Sequence, residues 1–152
     1  MKAADSVWQR LENLLGETSP EAALSKTHDE LRSVGLSASK ANYIIEIATF
    51  FEKHGAKPNW PEDNEESVTL LTSIKGVGVW TAEMFMIFHL LKPDVLPLGD
   101  LGLLKAVGLH YGDGKSKAEK PFVENVAKAW QPYRSVATWY LWRSLDPVLV
   151  EY

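Results

Sequence analysis

The stretch Leu71-Thr-Ser-Ile74-Lys-Gly76-Val-Gly78-Val-Trp80-Thr-Ala82 decides how this 152-residue chain is read. Two glycines bracket a single apolar residue, with Leu71 and Ile74 before them and Ala82 after them. This is what two short helices need to turn tightly on one another. A turn of this kind exposes backbone N–H groups, which are ready donors to a phosphate. The same residues also suit a plain tight turn between packed helices, so the hairpin points to a partner and not to a reaction.

Helical periodicity extends outward from the hairpin in both directions, and alternating strand patterns are almost absent. Ala4, Val7, Trp8, Leu11, Leu14 and Leu15 fall on one face of a first helix that Gly16 ends. Ser19-Pro20-Glu21 reads as a cap with a first-turn proline and acid, and Thr27-His-Asp-Glu30 as a capping box. A long helix from about Ser39 to His54 presents Tyr43, Ile44, Ile47, Ala48 and Phe51 and closes at Gly55. Pro58, Trp60 and Pro61 mark a surface connection. Helices are then expected from about Asn64 to Ser73, Val79 to Leu91 and Asp100 to Val107. Ser116-Lys-Ala-Glu119 reads as a second capping box opening a helix to Trp130, with a last helix from about Tyr133 to Ser144. The expectation is one all-α domain, residues 1–152, with a helical lobe over about 1–56, a linker over about 57–63 and a second lobe over about 64–152.

Composition narrows the class. A 45% apolar content with six Trp describes a folded chain, and no apolar run approaches the roughly 18 residues of a membrane span. The start has no apolar signal core, so nothing argues for export and a cytoplasmic protein is expected. With no Cys, disulfides, thiolate catalysis and a cysteine-ligated iron–sulfur cluster are excluded. The four His lie far apart, and none pairs with another at metal-ligand spacing. The net charge of −4 is unevenly spread: residues 1–69 carry 7 Lys/Arg against 12 Asp/Glu, and residues 70–152 carry 9 against 8. The half containing the hairpin is therefore the less repulsive to a polyanion.

About twenty residues after the hairpin, Asp100 follows Leu96-Pro97-Leu-Gly99 at an expected helix start. An Asp there is an ordinary N-cap. It is also where a carboxylate could sit beside a sugar held by the hairpin. There it would stabilise the positive charge that develops as an N-glycosidic bond breaks, and orient or deprotonate water. These residues alone leave both readings open.

Four segments in order carry a resemblance. The chain resembles the helix-hairpin-helix (HhH-GPD) superfamily of DNA glycosylases, and within it the 3-methyladenine DNA glycosylase II family. Leu31-Arg-Ser-Val-Gly-Leu36-Ser37 with Lys40-Ala41 and Tyr43-Ile44 looks like that family's first-lobe loop and helix, and Leu71 to Phe85 looks like its hairpin. Asp94-Val-Leu-Pro97 through Asp100-Leu-Gly102 looks like its catalytic segment. Trp130-Gln-Pro-Tyr-Arg134-Ser135 with Trp139 and Trp142 looks like its last helix.

The resemblance implies base excision repair of alkylated purines in double-stranded DNA, with Asp100 as the catalytic acid. Superfamily members that also cleave the strand carry a lysine at position 80. Trp80 has no amine to form a Schiff base, which implies a monofunctional enzyme using water. Trp80 and Trp142 would bind a cationic base by stacking and cation–π attraction. Met84 would form a softer wall, and Trp139 and Tyr140 fit pocket or core equally. Trp8, Trp60 and Trp130 read as structural. Gly76, Val77 and Gly78 would present amides to a phosphate with Lys75 beside them, and Lys105 and Arg134 are weaker candidates for phosphate contact. The resemblance implies no nucleotide cofactor and no iron–sulfur cluster; a sodium or potassium ion at the Ile74 and Val77 carbonyls is in keeping with such hairpins. It places the protein with DNA, near the bacterial nucleoid or in a eukaryotic nucleus.

Family members have a further helix and an apolar wedge before the point where this chain begins, so a truncated version is expected. A groove left on the first lobe would then allow a dimer in place of a monomer. The alternative reading is a non-catalytic helix-hairpin-helix module that binds damaged or abasic DNA.

Overall fold

The computed structural model describes residues 2–55 and 58–145, and every regular element among them is helical. The described residues group into two compact units that divide between Gly78 and Val79.

In the first unit, α1 (Lys2–Leu15), α2 (Pro20–Leu24), α3 (His28–Ser33) and α4 (Ala38–His54) surround a core of Leu11, Leu31, Val34 and Ala41. The helix starts are where the capping signals put them. The Ser19 side chain accepts the Ala22 amide ahead of Pro20, and Thr27 and Glu30 form a reciprocal capping box. Ser37 caps α4, whose end at Gly55 needs a φ of 82°. The first helix departs from its expected face, because Ala4 is exposed and Trp8 is 50% exposed. Only Leu11, Leu14 and Leu15, near the end of α1, reach the core. Trp8 is therefore a surface residue here and not a core one.

The expected boundary at about 57–63 differs from the observed division. Residues 56 and 57 lie outside the described residues. Trp60 stacks on Phe50 with ring centroids 6.2 Å apart and meets the edge of Phe51, while Ser67 donates its hydroxyl to the Pro61 carbonyl. Aromatic packing and that hydrogen bond fasten the connection, and α5 (Asn64–Thr72) after it, into the first unit. Asp63 caps α5, and Leu71 and Ile74 are buried as the hairpin pattern requires.

The second unit holds α6 (Val79–Phe88), α7 (Leu101–Tyr111), α8 (Lys120–Ala127), a 3-10 turn (Lys128–Trp130) and α9 (Arg134–Arg143). Its core is built on α7: Leu103, Leu104, Ala106 and Val107 meet Ala118, Val123 and Leu141. Helix α6 stops before the expected Leu91 because the Lys92 amide turns back to the Met86 carbonyl, with Leu91 in the left-handed region at φ 54°.

The second expected capping box does not form. Ser116 and Lys115 donate their amides to Asp113, and Ala118 donates to the Leu104 carbonyl. These bonds tie residues 115–118 to the loop and to α7, so α8 starts only at Lys120, after Glu119.

Gly76 has a φ of 95°, and a Cβ built on it would run into the Tyr43 ring. Changing Gly76→Ala combines a strained backbone with a steric clash, and urea unfolding should show a loss of about 2–4 kcal/mol.

Candidate active site

The sequence around Asp100 folds locally into a rigid helix start. The Asp100 amide donates to the Pro97 carbonyl at 2.9 Å, its own carbonyl accepts the Leu104 amide, and Oδ1 accepts the Leu103 amide at 2.7 Å. Asp100 is thus the N-cap of α7, the simpler of its two sequence readings. Its carboxyl group also takes two further donors. Nε1 of Trp142, from α9, donates to Oδ1 at 2.7 Å, and Nε1 of Trp80, from α6, donates to Oδ2 at 2.9 Å. Residues 80, 100 and 142 therefore meet through the rims of the two indoles. Oδ1 carries two N–H donors and Oδ2 only one, so Oδ2 keeps spare acceptor capacity.

This carboxyl group opens into a hollow of about 300 Å³ lined by Trp80, Gly99, Asp100, Leu101 and Gly102. Trp80 is 50% exposed, and the second indole is stacked against Phe88 with centroids 5.9 Å apart. Gly102 is in close quarters: a Cβ there would lie 3.1 Å from both Asp100 Oδ1 and Trp142 Cδ1. The bare backbone at this position leaves room for the indole to reach the acid.

A frame behind the site holds α9 in place. Arg134 grips the Asp94 carboxylate with two prongs, Nε to Oδ1 at 2.7 Å and Nη2 to Oδ2 at 2.8 Å. Ser135 donates its hydroxyl to the Lys92 carbonyl and accepts the Val95 amide. The guanidinium holds the Asp94 carboxyl below the usual carboxylate range. Arg134 is therefore engaged inside its own unit as a clamp, with Nε and Nη2 committed to Asp94. The sequence signal for the clamp was an Asp and an Arg 40 residues apart, which spacing alone does not pair.

The other candidates are dispersed. Met84 is half-buried and does not line the hollow at Asp100. Trp139 and Tyr140 pack edge to face and line a different hollow of about 420 Å³ with Phe88, Leu91 and Val136. Neither of these two aromatics lines the hollow at the acid. Lys105 is exposed on α7.

In the first unit, Lys75 is exposed beside the glycine turn. The Val77 amide donates to the Ile74 carbonyl at 3.0 Å and closes the turn, so it is corrected from a phosphate donor to a turn bond. Gly76 and Gly78 keep amides with no partner among the described residues.

Glu83 carries no site reading in the sequence. Burial and the charge of Asp100 push its carboxyl up to about 7, with Lys120 acting in the opposite sense. Its Oε2 is buried without a hydrogen-bond partner.

Comparison with known proteins places these features in context. Residues 1–132 match the family described as HhH-GPD superfamily base excision DNA repair protein. The chain is 32% identical to DNA-3-methyladenine glycosylase 1 of Schizosaccharomyces pombe, covering 94% of this chain and 65% of that protein. It spans 45% of the length of a Bacillus subtilis relative. Its fold is similar to that of a DNA-3-methyladenine glycosidase from Bacillus halodurans, with a TM-score of 0.81 and 36% identity over 97% of this chain and 69% of that one. It is also similar to a Schizosaccharomyces pombe 3-methyladenine DNA glycosylase in complex with abasic DNA, with a TM-score of 0.74 and 27% identity over 98% and 76% of the two chains. Among the described residues no helix is long and apolar enough to cross a membrane, and no group of His, Cys, Asp and Glu could hold a metal ion.

The Glu83 shift has a sign that stability measurements can test. Its folded-state value lies above the ordinary 4.5, so the folded chain holds a proton that the unfolded chain has released. The contribution is fully present below about pH 4.5 and is lost as pH rises toward about 7. After discounting for a part-exposed side chain, urea unfolding should lose about 1–2 kcal/mol over that window, and Glu83→Gln should flatten the loss.

Proposed function

The chain belongs to the HhH-GPD superfamily of base excision DNA repair proteins, and from that premise we propose that it is a monofunctional DNA glycosylase that hydrolyses the N-glycosidic bond of alkylated purines such as 3-methyladenine. The observation that carries this reading is the Asp100 carboxyl group, fixed between two indole N–H groups at the wall of an open hollow.

In this reading the exposed face of Trp80 receives the flipped base. Alkylation at a ring nitrogen leaves a purine positively charged, so the indole attracts it by cation–π interaction, worth about 0.5–2 kcal/mol. The same charge makes the base a ready leaving group. As the C1′–N bond lengthens, positive charge moves onto the sugar, and a carboxylate already fixed in place stabilises it without reorganising. Oδ1 is held by the Leu103 amide and Trp142, while Oδ2 keeps the capacity to meet the sugar cation or the attacking water. Trp80 offers no nitrogen nucleophile, so water completes the reaction and leaves an abasic site.

Grip on the DNA backbone comes, in the same proposal, from the free amides of Gly76 and Gly78 and from Lys75. Neutral donors suit a chain with a net charge of −4. The turn also fits a monovalent cation at the Ile74 and Val77 carbonyls, because the Val77 amide uses one of the two lone pairs of the Ile74 oxygen. Such an ion would lend positive charge to the phosphate contact.

Asp100→Asn removes the negative charge and presents an NH2 group to one of the indole donors. Release of 3-methyladenine from methylated duplex DNA should fall at least about 100-fold. Fluorescence titration should show affinity for abasic-site DNA kept within a few-fold. Base release at the wild-type rate would reject the assignment.

A further inference from the structure

The hollow of about 420 Å³ in the second unit has no part in the chemistry proposed above. It lies between the end of α6 and one face of α9, with Phe88, Leu91, Val136, Trp139 and Tyr140 in its lining. Along α9, Val136, Trp139 and Tyr140 are exposed while Ser135, Thr138 and Leu141 are buried, so these three form the outward face of the helix. Single apolar residues are ordinary on a surface, but five gathered around one hollow are not.

The most exposed of the five is Leu91, at 76%. It is also the only residue other than glycine with a positive φ among the described residues, and the Lys92 amide pins it there by returning to the Met86 carbonyl. A left-handed backbone disfavours leucine, so stability is sacrificed to hold an apolar side chain in water at the rim of the hollow. The rings are fixed as well: Phe88 lies against Trp142, and Trp139 meets the edge of Tyr140 with the Arg143 guanidinium 6.0 Å from its ring centre. Anchors ordered in advance lose little freedom when they are covered.

We propose that this face is the contact surface between two copies of the chain, related by a two-fold axis, in which Leu91 of each copy enters the hollow of the other. A two-fold contact needs one patch that complements itself, and here a fixed projection and a hollow stand side by side. The area is sufficient. With a full aromatic side chain at about 150–250 Å², the exposed fractions of the five residues amount to about 500 Å² per copy. Two copies would bury about 1,000 Å², the lower bound for a specific interface. Lys92 is the only charged residue in the lining, which suits an apolar surface better than a phosphate chain. A dimer formed here uses the second unit, not the groove on the first lobe that the sequence suggests.

Sedimentation equilibrium of the whole chain from about 1 to about 500 μM tests this. The wild type should pass from one chain to two within that range, and L91E and Y140E should each weaken the association at least about tenfold. Raising salt from about 0.15 to about 1 M should leave the wild-type constant within about threefold or tighten it, because apolar contact is not screened. A wild type that stays single throughout, association within about threefold of wild type in either variant, or a tenfold loss at high salt overturns the proposal. If circular dichroism shows that one variant does not fold, the other variant and the salt series decide. A chain that stays single and instead binds a single-stranded oligonucleotide, with that binding lost in Y140E, would assign the face to nucleic acid and also overturn the proposal.

Discussion

Three N–H groups converge on the Asp100 carboxyl group: one from the backbone of Leu103 and one from each of the indoles at 80 and 142. The rest of the second unit can be understood as the scaffold for that convergence. The first donor comes from the turn of helix that Asp100 itself begins, and the other two come from helices 20 residues before and 42 after it. Charge-assisted hydrogen bonds are short and directional, so the carboxyl group is fixed in rotation as well as position. The bond between Arg134 and Asp94 and the two bonds of Ser135 hold the start of α9 against residues 92–95, the segment that leads into Asp100. Without that frame Trp142 would have no fixed approach to the acid. The absence of a side chain at Gly102 allows the approach to be as close as it is.

What was legible in the sequence is what depends on local physics. Ser19 and Thr27 cap helices because their side-chain oxygens reach amides three residues away, a relation that sequence order contains. The glycine turn and Asp100 as a helix start were readable for the same reason. Residues 80, 100 and 142 could be grouped only through family resemblance, because nothing in their spacing brings them together. The resemblance suggested indole faces as the feature of the pocket, but not that both indole N–H groups would be directed to the acid. Ring orientation is set by packing between helices and leaves no periodic trace.

The misreadings have the same origin. Ser116 and Glu119 have the right spacing for a capping box, but an outside acceptor on α7 and the Asp113 side chain take the amides first. Arg134 looked like a free cation because its partner is 40 residues distant. Trp8 has core spacing and is nevertheless half exposed. In each case a tertiary neighbour, or the lack of one, outweighs the local pattern. Glu83 is the reverse example: a Glu between Ala82 and Met84 looks like an ordinary polar helix position, and only its burial beside another carboxyl sets it apart.

The double employment of one side chain constrains how this lineage can change. The carboxyl group that caps α7 is the one that lines the hollow, so most substitutions at position 100 remove an acceptor from the helix terminus as well as a charge from the hollow. A descendant that drifted toward mere recognition of damage would first have to find new acceptors for a helix terminus and two tryptophan rings. Selection for foldedness alone therefore restricts position 100 to side chains that can accept hydrogen bonds.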